Sequence, residues 1–582
     1  MQPIRLLLLA LGVSLLGLVP AAPTHAETPV VSLAVTGAGV ALRPAFDPAT
    51  SRYAVGTTDQ TDGTVTVDAT TEDPAGSVLV DGSPASGPVT LTGLTPGAEI
   101  SVIIDDAAGH HAYGLIYLPA SFPAITKVVD TGVVQDGLTL VTFAHFAAAL
   151  DRNGVPALFR EFDRAAADLK PAPHGHYTVM VQTAANGGTY GDWDLLELDA
   201  KLGTVASYRT VGLTNTDSHD SILEPDGTRY LVGYEPDGEG HTDPTIQQVG
   251  PNGDVVATWN GGQHLDRAAL TTANTAAQPV PDDWAHINSI QLVDGGDDML
   301  ASFRHLSAVL LIAWKPHDGY AQGDVIWRFG GRQSSFSFDN DPYGGPCAQH
   351  AAQLLPDGHL LLWDNGSGAL GANPSYCVDP ADRTGDTVSR PFTRVTEYSL
   401  DTTTMTAHLV SSWSDGSRFA YFAGSAYRLG GGDTLVDWAG YSTGGAFGAL
   451  TSEYDAAGDV VWELSAPTVW SYRAYRADAP DTTAPVVTID LPGSGRYDVG
   501  DPVAPRISCT DAGGSTLQSC TPSSTSLPTG TVGTHTFTVT ATDGAGTTTV
   551  VHRSYVVGSP QPAVAVRAAG RWAASRTLHL PR

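Results

Sequence analysis

The sequence predicts an all-β chain: a six-bladed β-propeller flanked on each side by a β-sandwich. Three observations carry this. Gly and Pro number 64 and 39 and recur along the whole chain between runs of Thr and Val, a composition of many short strands and turns. Helical periodicity is scarce, whereas period-two alternation is frequent. The stretch 122–480 repeats one plan six times, as a closed array of sheets would. At 582 residues the chain also exceeds a single core and calls for several domains.

The elements follow in chain order. Residues 1–26, "MQPIRLLLLALGVSLLGLVPAAPTHA", pair a basic start at Arg5 with a Leu-rich run and small residues before Glu27. That is a secretory signal peptide cut after Ala26, so the protein is expected to be secreted or extracytoplasmic. No later segment reaches the roughly 18 apolar residues of a membrane-spanning helix. Residues 27–121 alternate through "VTVDATTEDPAGSVLVDG", with Gly, Pro and Asp at the breaks, and resemble a cadherin-like β-sandwich. Residues 481–557, from "TTAPVVTIDLPG" to "HRSYVV", resemble a bacterial immunoglobulin-like domain. The last segment, 558–582, carries Arg but no acid and reads as a disordered tail.

The propeller reading of 122–480 rests on "HDSILEPDGTRYLVGYEP" at 219, "HINSIQLVDGGDDMLASFRH" at 286 and "HAAQLLPDGHLLLWDNGS" at 350. In each, a His opens an apolar strand, a D-G or G-G turn follows, and a second apolar strand returns. A fourth copy begins at Gly424 with Ser425 where the His would stand, and two looser copies precede the set. The units run roughly 45–75 residues with about four strands each. "TVWSYRAYRAD" at 468–478 is expected to add a strand that closes the ring on the first blade.

A net charge of −31 argues against nucleic acid or an anionic membrane surface as partner. Four cysteines in an exported chain read as two disulfides. The nearest pairings are Cys347 with Cys377 and Cys509 with Cys520, and the other two connectivities stay open. No CxxC or HxxxH spacing suggests a metal site.

Each blade's first strand lines the channel of a propeller, so equivalent residues meet around one axis. His219, His286 and His350 stand 67 and 64 residues apart, in what reads as one register. Asn288 joins them because strand residues two apart share a face. Arg304 lies on the return strand of the same blade. A zinc site of three histidines is disfavoured: Arg304 would repel a dication and no carboxylate stands out in register. Arg, His and Asn donors instead suit an oxyanion, and a neutral imidazole among them can act as nucleophile on phosphorus or sulfur.

These residues resemble the bacterial arylsulfate sulfotransferases, exported six-bladed propellers that move a sulfuryl group from a phenolic sulfate ester to another phenol without a nucleotide donor. The resemblance covers most of 122–480, most specifically "DWAHINSI", "SFRH…GDVIWRFGG" and "AQHAAQLLPDGHLLLWDNG". It implies that His350 is the nucleophile that becomes sulfated. His286, Asn288 and Arg304 would hold the sulfuryl oxygens, with His286 also a candidate acid/base and His219 handling protons toward the phenol. Ser425 stands in for the family's threonine ligand. The implied partners are a phenolic sulfate donor and a phenol acceptor, by ping-pong kinetics, with no metal or diffusible cofactor. The N-terminal domain and the wide Cys347–Cys377 spacing depart from the family pattern.

Among other residues, Trp284, Tyr343 and Trp363 are packing candidates that could also meet an aromatic substrate. Asp364 and Asn365 read as turn residues, His305 as pointing away from Arg304, and "EPDGEGHTDP" at 235–244 as a solvated loop rather than a calcium site. Two rival functions stay open: a non-catalytic propeller binding a ligand or surface polymer, with its sandwiches giving cell-surface association, and a sulfatase-like hydrolase.

Overall fold

A computed structural model of the chain describes residues 31–183, 191–273, 283–368, 375–416, 418–439, 441–442, 447–478, 483–493, 495–510, 517–543 and 546–559. The expected signal peptide and nearly all of the tail fall outside them. Among the described residues the only α-helices are two single turns, Gly261–His264 and Arg267–Leu270, and none is long and apolar enough to cross a membrane. The fold is all-β. The chain divides into two compact units at the Ala120–Ser121 boundary.

In the first unit a three-stranded sheet (Val31–Thr36, Val65–Thr71, Val89–Leu91) and a six-stranded sheet share one apolar core. Val31, Leu33 and Val35 are buried while Ser32, Ala34 and Thr36 are exposed, the alternation expected of a strand with one dry face.

The second unit contains six successive sheets built on four antiparallel strands each, one of them with an added parallel edge strand, Ser337–Asp339. Their first strands are Ala166–Pro171, Ser221–Leu223, Ile287–Val293, His350–Leu354 and Ser425–Arg428, with Ala474–Ala477 serving the sheet that begins at Leu138. The Asp-Gly turns behave as the repeat suggests: Gly227 and Gly358 close them at φ +87° and +83°, where a Cβ would be strained. Two pairings join the ends of the region. Ala474–Ala477 pairs with Leu138–Phe143, and Thr126–Asp130 pairs with Val460–Ala466.

Side chains tie each inner strand to the next. Asn288 Nδ2 donates to Gln349 O at 2.7 Å, and Ser289 Oγ accepts from Ala352 N–H at 3.2 Å. Gln291 bridges both backbone groups of Leu354, at 2.8 and 3.0 Å. Gln353 Oε1 accepts from Arg428 N–H at 3.0 Å and Ser425 Oγ from Ala474 N–H at 3.4 Å. A cavity of about 540 Å³ is lined from all six inner strands, by Lys170, Ser221, Gln291, Gln353, Arg428 and Tyr475 among others.

Both disulfides take the nearest pairings, Cys347–Cys377 and Cys509–Cys520, with Cα separations of 4.7 and 6.0 Å. They fit an oxidising, extracytoplasmic compartment. The second links strand Arg506–Thr510 to strand Leu517–Pro522 in the C-terminal sheets, whose core gathers around Phe537, Val539 and Tyr555.

Candidate active site

The ties between inner strands fix the register independently of the sequence pattern, and they correct it at two points. Ser289 and Ser425 play the same part toward Ala352 and Ala474, as Gln291 and Gln353 do toward Leu354 and Arg428. Counting back from these, Asn288 rather than His286 is the counterpart of His350. Gly424, not Ser425, stands at that position in the next sheet. A side chain cannot fit there, since a Cβ on Gly424 would lie 2.3 Å from Trp363 Nε1 and 2.7 Å from Asp437 O. Ser425 is buried, and its Oγ accepts from Ala474 N–H at 3.4 Å, a tie between inner strands.

The histidines nonetheless gather. Ring centroids of His219 and His286 are 4.6 Å apart, those of His286 and His350 6.3 Å. His286 reaches in from the residue before the strand because its backbone is left-handed (φ +54°) and a bulge follows between Ile287 and Ser289. A second bulge follows His350, with Ala351 at φ +48°. Bulges re-aim side chains in this way beside functional sites.

Arg304 and His305 do not alternate as strand residues. Arg304–Leu306 is a 3₁₀ turn, and both side chains swing to one side. His305 therefore belongs to the cluster, against expectation: its Nε2 lies 2.9 Å from Arg304 Nη1 and its ring 4.7 Å from His286. Its Nδ1 donates to Asp283 O at 2.7 Å. Arg304 also donates to Tyr421 O at 3.0 Å and lies 4.6 Å over the ring of Tyr376, on which His305 stacks at 5.3 Å. Arg304 is only 8% exposed, and among the described residues no carboxylate pairs with it.

The Nδ1 partners divide the imidazoles. His219 Nδ1 meets Asp217 Oδ1 at 2.6 Å and His286 Nδ1 meets Asp283 Oδ2 at 2.7 Å, and each Asp also accepts its histidine's backbone N–H at 2.9 Å. Carboxylates thus assist these histidines, contrary to the sequence reading. They were visible as an Asp two or three residues ahead of each His. His350 has no such acid: its Nδ1 meets Asn365 Oδ1 at 2.8 Å, and its Nε2 accepts Ala423 N–H at 3.2 Å. Asn365 is thereby a site residue rather than a plain turn residue, held by donation to Ala420 O and Ala423 O at 2.7 and 2.9 Å. Asp364 likewise does more than turn the chain, pairing with Arg390 and, at 2.8 Å, with Arg394.

Burial, then the charges of Arg304 and His286, hold the His350 imidazole well below its ordinary 6.5, with the Asn365 hydrogen bond opposing. Burial, then His219 and Arg304, does the same to His286. His305 is pushed down to about 3, again chiefly by burial. These rings are neutral near pH 7. Asp283, His286 and His305 bring three ligand atoms within 4.8 Å of one another. That group does not suit a dication, because Asp283 is already engaged by both rings and the guanidinium of Arg304 touches His305.

Two aromatic candidates are packed away: Trp284 bonds Asp243 Oδ1 at 3.1 Å and Trp363 bonds Ala423 O at 2.9 Å, both fully buried. Tyr343 is exposed but packs on Phe392 at 5.3 Å. Sequence reasoning also missed Tyr472, on the closing segment, whose ring lies 5.8 Å from His219 and whose hydroxyl donates to His219 O at 3.2 Å. In the loop at 235–244, Asp237 accepts from the backbone of Glu239 and His241 and pairs with the His241 ring at 2.7 Å, a closed turn.

No curated protein matches the chain. Among solved structures it is similar to the periplasmic gluconolactonase PpgL of Pseudomonas aeruginosa, at 13% identity over 73% of this chain and 98% of that one (TM-score 0.33). It is also similar to a putative 6-phosphogluconolactonase of Bacteroides fragilis, at 10% over 74% and 98% (TM-score 0.32). A hypothetical selenium-binding protein of Sulfolobus tokodaii aligns at 9% over 66% and 91% (TM-score 0.35). Alignments this loose carry no argument about activity. The family model described as Arylsulfotransferase (ASST) is different in kind, for it matches residues 126–473 and so spans every histidine, amide and guanidinium of the site: the chain belongs to the arylsulfotransferase family.

Proposed function

We propose that the protein is an exported aryl sulfotransferase that moves a sulfuryl group from a phenolic sulfate ester to a second phenol through sulfated His350. In this reading the six sheets are the blades of a propeller, flanked by a cadherin-like and an immunoglobulin-like sandwich, and no nucleotide donor takes part. The observation that carries it is Arg304. A buried guanidinium without a carboxylate is costly, and this one stands beside a neutral, deeply buried imidazole. An anionic sulfate ester supplies the missing charge and brings its sulfur to the nucleophile.

The steps balance. The Nε2 lone pair of His350 attacks sulfur as the bond from sulfur to the aryl oxygen breaks. Nδ1–H stays on Asn365 Oδ1, so the sulfated ring is an imidazolium whose positive charge that acceptor stabilises. Ala423 N–H, now on Nε2, passes to an incoming sulfuryl oxygen. Asn288 and Arg304 hold the other oxygens. The phenoxide leaves as the anion and takes its proton from solvent. His286 and His219, whose Nδ1–H groups are held by Asp283 and Asp217, present Nε2 to take the hydroxyl proton of the acceptor and release it to solvent afterwards. The second phenol then takes the sulfuryl group and restores His350.

Purified mature protein with 4-nitrophenyl sulfate, with and without phenol, tests the reading in wild type and His350→Ala. Nitrophenol release that depends on phenol and disappears in the variant is expected. Release without phenol would mean hydrolysis. Failure to release with any phenol would leave a binding module.

A further inference from the structure

We propose that the half-buried aromatic run Tyr421–Phe422–Trp470 is the aryl subsite of this site, and that Trp470 selects fused-ring over single-ring phenols. The inference rests on the sulfuryl-transfer reading and extends it to substrate choice. Residues 421–423 touch the chemistry through their backbone. Tyr421 O accepts from Arg304 at 3.0 Å, and Ala423 N–H donates to His350 Nε2 at 3.2 Å. The backbone of this short bridge is therefore fixed against the reacting groups. Tyr421 and Phe422 lie with ring centroids 4.9 Å apart, and Phe422 meets Trp470 edge-on at 5.9 Å.

Trp470 itself is 45% exposed, and it is the one tryptophan in the exposed class among the described residues; the others are buried or half-buried. A large aromatic left in water at the end of a continuous aromatic path from a buried site is the sign of a ligand surface. Two residues further on, Tyr472 closes the same path against His219. The aromatic run thus starts on the bridge whose backbone meets Arg304 and His350 and ends at a ring exposed to solvent. A sulfuryl group at His350 leaves its aryl ring to extend along that path. Because donor and acceptor rings would use one surface in turn, the two substrates compete for the unsulfated enzyme.

The test compares phenol with 2-naphthol as acceptors, with 4-nitrophenyl sulfate as donor, in wild type, Trp470→Ala and Trp470→Phe. Loss of one aromatic contact should lower kcat/KM for naphthol roughly tenfold and for phenol about threefold, through KM. Trp470→Phe should recover part of the difference. A purely structural role would lower both acceptors equally and through kcat. Calorimetric titration of 2-naphthol into His350→Ala, with and without Trp470→Ala, reads the ring site apart from chemistry. Wild-type transfer with an unchanged naphthol-to-phenol ratio in Trp470→Ala would overturn the inference and leave the sulfotransferase reading intact. Naphthol binding that needs Trp470 in a protein that transfers nothing would do the opposite.

Discussion

Replacing Asn365 by Asp changes one atom type and one charge beside the proposed nucleophile. The new side chain keeps an oxygen for His350 Nδ1–H, which lies 2.8 Å away. It loses the amide donor that reaches Ala420 O and Ala423 O, so two carbonyls now face a carboxylate. An opposite charge at this range raises a histidine by about 1–3 pH units. His350 starts well below 6.5, because burial, Arg304 and His286 all disfavour the imidazolium. Only the neutral ring attacks, so wild type stays reactive as the pH falls below 6.5, whereas the variant is protonated and silent about 1–3 pH units sooner. The structural cost is separate, about 1–3 kcal/mol for each carbonyl left without its donor, and shows in Tm. Stopped-flow measurement of the 4-nitrophenol burst against pH, normalised to folded protein, reads the nucleophile alone. An acid limb that coincides with wild type in a folded variant would refute the assignment of His350 as the ring that attacks.

Three further outcomes follow from the same geometry. Asp283→Asn should leave the nitrophenol burst from an activated donor nearly intact but slow transfer to phenol by roughly 10²–10⁴-fold, measured in steady state, since only the second step needs a strong base. Gly424→Ala should cost about 2–4 kcal/mol in chemical denaturation, because φ is +90° and the new Cβ meets Trp363 Nε1 at 2.3 Å. Stability should fall as pH drops: His305 is pushed down to about 3 in the folded protein, so below about 6.5 the unfolded chain binds the proton first and folding loses up to ~1.4 kcal/mol per pH unit from this residue. His305→Asn should flatten that slope in thermal melts recorded across the acidic range.

Strand content and the six-fold repeat were legible because strand alternation and Asp-Gly turns are local properties. The histidines were legible for the same reason, as each stands at or just before an apolar strand. Register was not, because the bulge at Ile287–Ser289 shifts the pairing and leaves Asn288 opposite the positions of its neighbours. A bulge is set by tertiary packing and leaves no period in the sequence. His305 was misread because alternation was applied to a 3₁₀ turn. Asp217 and Asp283 were readable, as acids two and three residues ahead of a histidine, but were passed over because they precede the apolar strands on which the repeat was aligned. Tyr472 and the backbone groups of Tyr421 and Ala423 lay beyond reach: the first precedes the strand Ala474–Ala477, which pairs far back in sequence with Leu138–Phe143, and main-chain donors and acceptors have no residue type to recognise.

Two buried guanidiniums sit close to the histidines and show why one of them points to a substrate. Arg473 lies 3.4 Å from both Asp168 and Asp220, which also engage Lys170, and it donates to Asn288 O. Two cations and two carboxylates cancel, so that layer stiffens the strand holding Asn288 while adding little field above it. Arg304 instead has a carbonyl, an imidazole nitrogen and a tyrosine face as neighbours, none of which carries a countercharge. With Arg473 neutralised, Arg304 is the guanidinium of the two that no carboxylate pairs among the described residues, and its charge acts on His350. A field of that sign keeps the imidazole unprotonated, draws in an anion and stabilises the negative oxygens as sulfur changes partners. Asp283 and Asp217 fix the tautomers of His286 and His219 by holding Nδ1, so each presents Nε2 as a proton acceptor, whereas His350, held by the neutral Asn365, presents Nε2 as a nucleophile.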